Sequence, residues 1–178
     1  LGVENFEKHY SKAEQTALFD GLEKGTTPYE HFCDSIRAIS NKSISNQQID
    51  AAWNAMLLDL PKERLAFLLQ LKAKYRTFLL SNTNEKHFEG FTANLQKEHG
   101  VESLDLFFEK AYYSHIIQLR KPHREVFDFV INENNLNPAE TLFIDDTEHH
   151  VKGAIAAGLQ GHWLRQGEDI VTLLHHLL

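Results

Sequence analysis

The chain has 178 residues, 42% hydrophobic and 24% charged, which suits a globular protein with one sizeable core or a core carrying a small inserted module. A formal net charge of −7 with no dense Lys/Arg run excludes a general nucleic-acid binder, and it leaves any anionic substrate to be met by a local cation. A lone cysteine, Cys33, excludes an internal disulfide and a thiolate zinc cluster. No apolar run approaches the roughly 20 residues of a bilayer crossing and no signal peptide is visible, so the expectation is a cytoplasmic protein with no membrane partner.

Residues 1–57 read as helices joined by short turns, and no segment there alternates like a strand. Thr27-Pro28-Tyr29-Glu30 and Ser45-Asn46-Gln47-Gln48 have the form of capping boxes, the first with proline at the opening helical position. Gly21 and Gly25 punctuate the turn ahead of the first box. An all-helical block cannot supply a βαβ unit, so residues 1–57 are expected to be a cap and residues 58–178 the core.

In the core, Pro61 opens a helix with Leu65, Leu68 and Leu69 on one face, ending near Tyr75. Thr77-Phe78-Leu79-Leu80 follows as a short apolar strand, closed by the hydroxyls and amides of Ser81-Asn82-Thr83-Asn84. A helix over about 85–100 leads to a second strand, Lys110-Ala111-Tyr112-Tyr113. Leu119-Arg120-Lys121-Pro122-His123 comes next, with Pro122 suited to the first turn of a helix reaching about Asn134. After the Asn137-Pro138 turn, Thr141-Leu142-Phe143-Ile144 reads as a buried strand that ends in two adjacent acids, Asp145 and Asp146. A helix from Glu148 to Ala157 with Gly158 beyond it, a last strand Gly161-His162-Trp163-Leu164 and a C-terminal helix complete the chain. Strands alternating with helices predict an α/β fold with a doubly wound parallel sheet.

Two carboxylates at the mouth of an apolar strand repel one another and require a cation or several N–H donors beside them. The alternative reading is a solvated turn and helix cap, which Asp also serves well. Ligands of open α/β sheets bind outside the carboxyl ends of strands, and three consecutive strand–helix connections carry different polar groups there. Ser81 offers a hydroxyl and nearby backbone N–H groups, Lys121 a mobile cation, and Asp145 and Asp146 the hard oxygen ligands that Mg²⁺ prefers. A phosphoryl group needs that mixture. Of the eleven histidines, the adjacent pairs His149-His150 and His175-His176 point about 100° apart on a helix and read as surface groups; His123 stands near the strand ends. Tyr29, His31 and Trp53 are candidates for a cap face seen by substrate, although packing is the commoner use of such residues. No Gly-x-Gly-x-x-Gly occurs, so dinucleotide binding has no support.

Leu79-Leu80-Ser81-Asn82, Arg120-Lys121-Pro122, and Phe143-Ile144-Asp145-Asp146 backed by Gly153-Ala154 and Ala157-Gly158 resemble the second, third and fourth motifs of the haloacid dehalogenase-like hydrolase superfamily. Their spacing resembles its helical-cap subfamily of small sugar-phosphate phosphatases and haloacid dehalogenases. The resemblance implies a Rossmann-like core, an all-helical cap, and Mg²⁺-dependent hydrolysis of a small phosphorylated metabolite, a sugar phosphate, through an aspartyl-phosphate. It implies that Ser81 and Asn82 bind the phosphate and that Lys121 stabilises the nucleophile and the phosphoryl charge. Asp146 would be the direct metal ligand, with Asp145 acting directly or through a bound water. The expected partner is that substrate alone, for a monomer or weak homodimer. The superfamily's first motif, an Asp-x-Asp on the first strand, is absent; Phe19-Asp20-Gly21-Leu22 looks like it but follows a helical stretch and lacks the second Asp. The first core strand is therefore expected upstream of Leu1. A 2-haloacid dehalogenase, or a chain that only binds Mg²⁺ or phosphate, are the competing expectations.

Overall fold

The computed structural model describes residues 17–40 and 42–178, and the chain divides at the Gln118–Leu119 junction into two compact units. In the first unit, helices α1 (Ala17–Glu23), α2 (Tyr29–Ser40) and α3 (Asn46–Asn54) each turn an apolar stripe inward. Phe32, Cys33 and Ile36 form the stripe of α2, and they join Phe19, Leu22, Ile44, Ile49 and Trp53 in one buried cluster. Trp53 is its centre, stacked on Phe19 at 5.8 Å and tilted against Phe32 at 4.9 Å between ring centroids. The start of α3 is fixed by the anticipated capping box: Gln48 N donates to Ser45 Oγ (3.2 Å) and Ser45 N to Gln48 Oε1 (3.0 Å). Asp20 lies inside α1 and pairs with Lys24 at 2.9 Å, so it is a helix residue and not a strand end.

Helix α4 (Lys62–Lys72) follows Pro61, and its Leu65 packs with Leu95 and Phe107 in a second cluster. Strand β1 (Phe78–Ser81), helix α5 (Glu85–His99) and strand β2 (Lys110–Tyr113) then make a parallel pair, with Leu79 opposite Ala111 and Ser81 opposite Tyr113. Parallel pairing needs a crossover of a dozen or more residues, which α5 supplies, stopped at Gly100 in the left-handed region (φ 66°). The short helix α6 (Ser114–Ile117) follows β2 directly. The helical block is tied to α5: Trp53 Nε1 donates to Asn84 Oδ1 (3.4 Å), and the His87 ring stacks on Trp53 at 4.9 Å.

The second unit runs α7 (Arg124–Asn134), β3 (Leu142–Asp145), α8 (Glu148–Ala156), β4 (Gln160–Trp163) and α9 (Ile170–Leu174). Strands β3 and β4 are parallel, with Phe143 opposite Gly161 and Asp145 opposite Trp163. The core here is Val126 and Phe127 of α7 against Val151 and Ala154 of α8, with Phe127 edge-on to Phe143 at 5.4 Å. The described strands form two parallel pairs, one in each unit, as the parallel α/β part of the expectation requires. Pro122 lies outside its expected helix. His123 N donates to Arg120 O (3.2 Å), so residues 120–123 close a turn of their own, which contains the cis Lys121–Pro122 bond, before α7 starts at Arg124. Among the described residues no helix is long and apolar enough to cross a membrane.

Gly153 sets how closely α8 approaches that turn: a Cβ there would lie 2.4 Å from Pro122 O and 3.1 Å from Phe127 Cε2. In an ordinary helix Gly→Ala gains about 1 kcal/mol from propensity. Here the backbone contact reverses the sign, and Gly153→Ala is expected to destabilise by about 1–3 kcal/mol. The denaturant midpoint reads this directly, and an unchanged or raised midpoint contradicts the contact.

Candidate active site

Strand β3 delivers Asp145 to its carboxyl end, where both oxygens are held. Lys121 Nζ donates to Oδ2 at 2.7 Å, with the two side chains only 9% and 8% exposed. Thr147 N donates to Oδ1 (2.8 Å), and His150 Nδ1 lies 3.1 Å from the same oxygen. Helical side chains lean toward the helix N-terminus, and His150, in the first turn of α8, therefore reaches back to the strand it follows. The Lys121 ammonium sits 5.5 Å from the Phe143 ring centroid, a second reason for it to remain at the strand mouth.

Burial alone raises the pKa of the Asp145 carboxyl. The His150 hydrogen bond and the charge and hydrogen bond of Lys121 outweigh it and hold the group well below the ordinary carboxylate range. The repulsion anticipated between tandem acids is thereby relieved, because Asp145 is neutralised from within. Asp146 is exposed; its Oδ1 accepts from Thr147 Oγ1 (3.3 Å), and its backbone oxygen accepts from Trp163 Nε1 (3.1 Å).

In the first unit, Ser81 ends β1 and is half-buried with Asn82, while Thr83 and Asn84 behind them are buried. Thr83 N donates to Ser114 Oγ (2.9 Å) and Ser114 Oγ donates to Thr83 O (2.9 Å), a reciprocal pair with the serine wholly buried. Asn84 Oδ1 accepts from His87 N (3.1 Å) at the start of α5 as well as from Trp53. The loop after β1 is therefore fixed by its inner residues.

The structure brings Lys121 to Asp145 and places Asp146 beside them; Ser81 and Asn82 belong to the other unit and stand at the end of its first strand. His150 is the residue that sequence reasoning missed. As half of a His149-His150 pair it reads as a surface group, but it is 7% exposed whereas His149 is exposed. The readable signal was its place one helical turn beyond the acids. His123 is exposed and His31 is exposed, while Trp53 is committed to packing and Tyr29 OH donates to Asp50 Oδ1.

Among the described residues no cluster of three or more His, Cys, Asp or Glu is placed to hold an ion. A Mg²⁺ ion keeps several waters and needs only one or two protein carboxylates, so Asp145 and Asp146 are the residues to weigh. Asp146 fits as one such oxygen ligand. Asp145, with both oxygens engaged, fits better as the partner that fixes Lys121.

A strand-end acid anchored by a buried lysine, with a second acid exposed beside it on a parallel β–α–β unit, matches a hydrolase class, and the chain belongs to the haloacid dehalogenase-like hydrolase family, whose model matches residues 3–158. It is similar to the D-ribitol-5-phosphate phosphatase of Bacteroides thetaiotaomicron, at 26% identity over 95% of this chain and 82% of that protein. Among solved structures it is similar to a family enzyme from the same organism, an aspartate-to-alanine mutant in complex with magnesium and inorganic phosphate. That match has 36% identity and a TM-score of 0.88, over 97% of this chain and 85% of the other. A HAD-like family hydrolase from Porphyromonas gingivalis matches at 29% identity and a TM-score of 0.85, over 99% of this chain and 84% of the other.

The ion pair makes a prediction about coupling. Lys121→Met strands a buried carboxylate and is expected to cost about 3–5 kcal/mol of stability. Adding Asp145→Asn removes the stranded charge and should restore part of that loss, a non-additive cycle measured by denaturant unfolding. Strictly additive effects would rule out a working pair.

Proposed function

We propose that the protein is a Mg²⁺-dependent phosphatase that hydrolyses a small phosphorylated metabolite with a sugar or sugar-alcohol leaving group. The observation that carries this reading is the Lys121–Asp145 pair with Asp146 exposed beside it at the end of β3. The relatives support it, one named for a sugar-alcohol phosphate and another holding magnesium with phosphate. The reading includes a Rossmann-like, doubly wound core from about residue 58 and a helical cap before it.

In this scheme Ser81 Oγ and Asn82 donate to phosphate oxygens from a loop whose inner residues are already fixed, so little ordering cost falls on binding. Lys121 brings positive charge to the attacked phosphoryl group, and Asp145 with His150 holds that ammonium in place. Asp146 would hold Mg²⁺. Mg²⁺ held there would neutralise charge on the transferred group. The family resemblance assigns the attack to an aspartate at a strand end and an aspartyl-phosphate intermediate. Among the described residues the only aspartate ending a strand is Asp145, which is ion-paired, so the attacking carboxylate is assigned to none of them. Dehalogenation is disfavoured because Asp146 leaves an exposed acid at the strand end, which repels an anionic haloacid that brings no cation.

Full-length protein is expected to hydrolyse p-nitrophenyl phosphate with Mg²⁺ and to lose that activity in EDTA. Asp146→Asn should lower kcat/KM by at least ~100-fold, about 2.7 kcal/mol of transition-state stabilisation, with an unchanged circular dichroism spectrum. Activity that survives either treatment contradicts the reading.

A further inference from the structure

Asp146 stands one residue past the end of β3, yet the peptides on both sides of it are fastened. Ahead of it, Asp145 O accepts from Leu164 N (3.0 Å), a backbone bond just beyond the end of β4. After it, the Asp146–Thr147 peptide is held at both of its polar atoms. Thr147 N donates to Asp145 Oδ1 (2.8 Å), and Asp146 O accepts from Trp163 Nε1 (3.1 Å). A peptide unit is planar and turns as one body, so bonds at its two edges fix its plane. With both flanking peptides held, the φ and ψ of Asp146 are set, and its carboxylate keeps only side-chain torsions. Those are narrowed in turn by Thr147 Oγ1, which donates to Asp146 Oδ1 (3.3 Å).

Trp163 is the unusual member of this set, because it does with a side chain what its neighbour Leu164 does with backbone. It lies opposite Asp145 in the β3–β4 register, and its ring carries an N–H one residue further along the partner chain. Burial does not account for so large a ring there. Trp163 is 37% exposed, whereas Trp53, at the centre of the first unit's aromatic cluster, is 6% exposed. The Arg165 guanidinium lies over the indole at 5.2 Å from the ring centroid and helps to keep it in place. What the position takes from tryptophan is a stiff arm with two torsions that ends in a single donor.

Mg²⁺ demands near-ideal octahedral geometry. A carboxylate on a freely turning peptide has to be ordered on binding, which weakens affinity. We propose that Trp163 is a positioning residue for the metal ligand: its indole N–H locks the Asp146–Thr147 peptide and so aims the Asp146 carboxylate before any ion arrives. The proposal rests on the reading of Asp146 as the Mg²⁺ ligand and adds the group that orients it.

The test measures Mg²⁺ binding to the full-length protein by calorimetry, without substrate, for the native chain and for Trp163→Phe, which keeps a ring beside Arg165 and removes the N–H. Groups behind a metal ligand carry roughly 10–100-fold in metal affinity, so the variant is expected to bind Mg²⁺ about tenfold more weakly with an unchanged circular dichroism spectrum. An indole that served packing alone would lower the denaturant midpoint and leave Mg²⁺ affinity where it was. The native protein gives a second reading that does not depend on the variant folding. Of its two indole N–H signals in a ¹⁵N–¹H spectrum, that of Trp163, assigned through its own ring protons, is expected to move as Mg²⁺ is added and to follow the calorimetric binding curve. A folded Trp163→Phe whose Mg²⁺ affinity stays within twofold of native, or a Trp163 signal unmoved at saturating Mg²⁺, overturns the proposal and leaves Asp146 its role. A native protein that binds no Mg²⁺ removes the role of Asp146 and this proposal with it.

Discussion

A lysine and an aspartate, each over nine-tenths out of water, meet at the end of one strand, and the second unit is arranged to allow it. Burying either alone costs several kcal/mol, so each requires the other in good geometry. The turn at residues 120–123 brings Lys121 in, the absent side chain of Gly153 lets α8 press on that turn, and α8 returns His150 to the aspartate's other oxygen. Tandem acids that look equivalent in the sequence therefore have different lives. Asp145 is an internal counter-ion, and its neighbour Asp146 presents its charge outward.

The first unit solves a related problem without buried charge. Its strand-end loop carries hydroxyl and amide groups and is held in one conformation. Thr83, Asn84 and Ser114 take the buried positions and satisfy one another or neighbouring backbone. Ser81 and Asn82 remain at the rim. Trp53 ties the helical block to this loop through Asn84, so packing of that block and order of the loop share one side chain.

Much of this was legible in the sequence. Capping residues marked the start of α3, apolar runs marked β1, β2 and β3, and the order of Ser81, Lys121 and the tandem acids pointed to the family. What was not legible is long-range or geometric. Pro122 reads as a helix opener by local preference, yet the turn closed by Arg120 and His123 precedes the helix. His150 reads as surface because adjacent residues on a helix diverge. Its partner is instead one turn back, and only the strand–loop–helix geometry brings them together. Strand partners are also set by segments distant in sequence, which local patterning cannot specify; the described strands pair in parallel as β1 with β2 and β3 with β4.

The most direct test of the central pair is the carboxyl carbon of Asp145, followed by ¹³C NMR as pH is lowered. An unpaired aspartate titrates near about 4. The ion-paired group, its folded pKa depressed, should remain ionised through that range and protonate only well below it. Its stabilising contribution is then full above the unfolded value and is lost as pH falls through the folded one. Protonation of Asp145 at an ordinary pH near 4 would contradict the account, because neither Lys121 nor His150 would then be holding it.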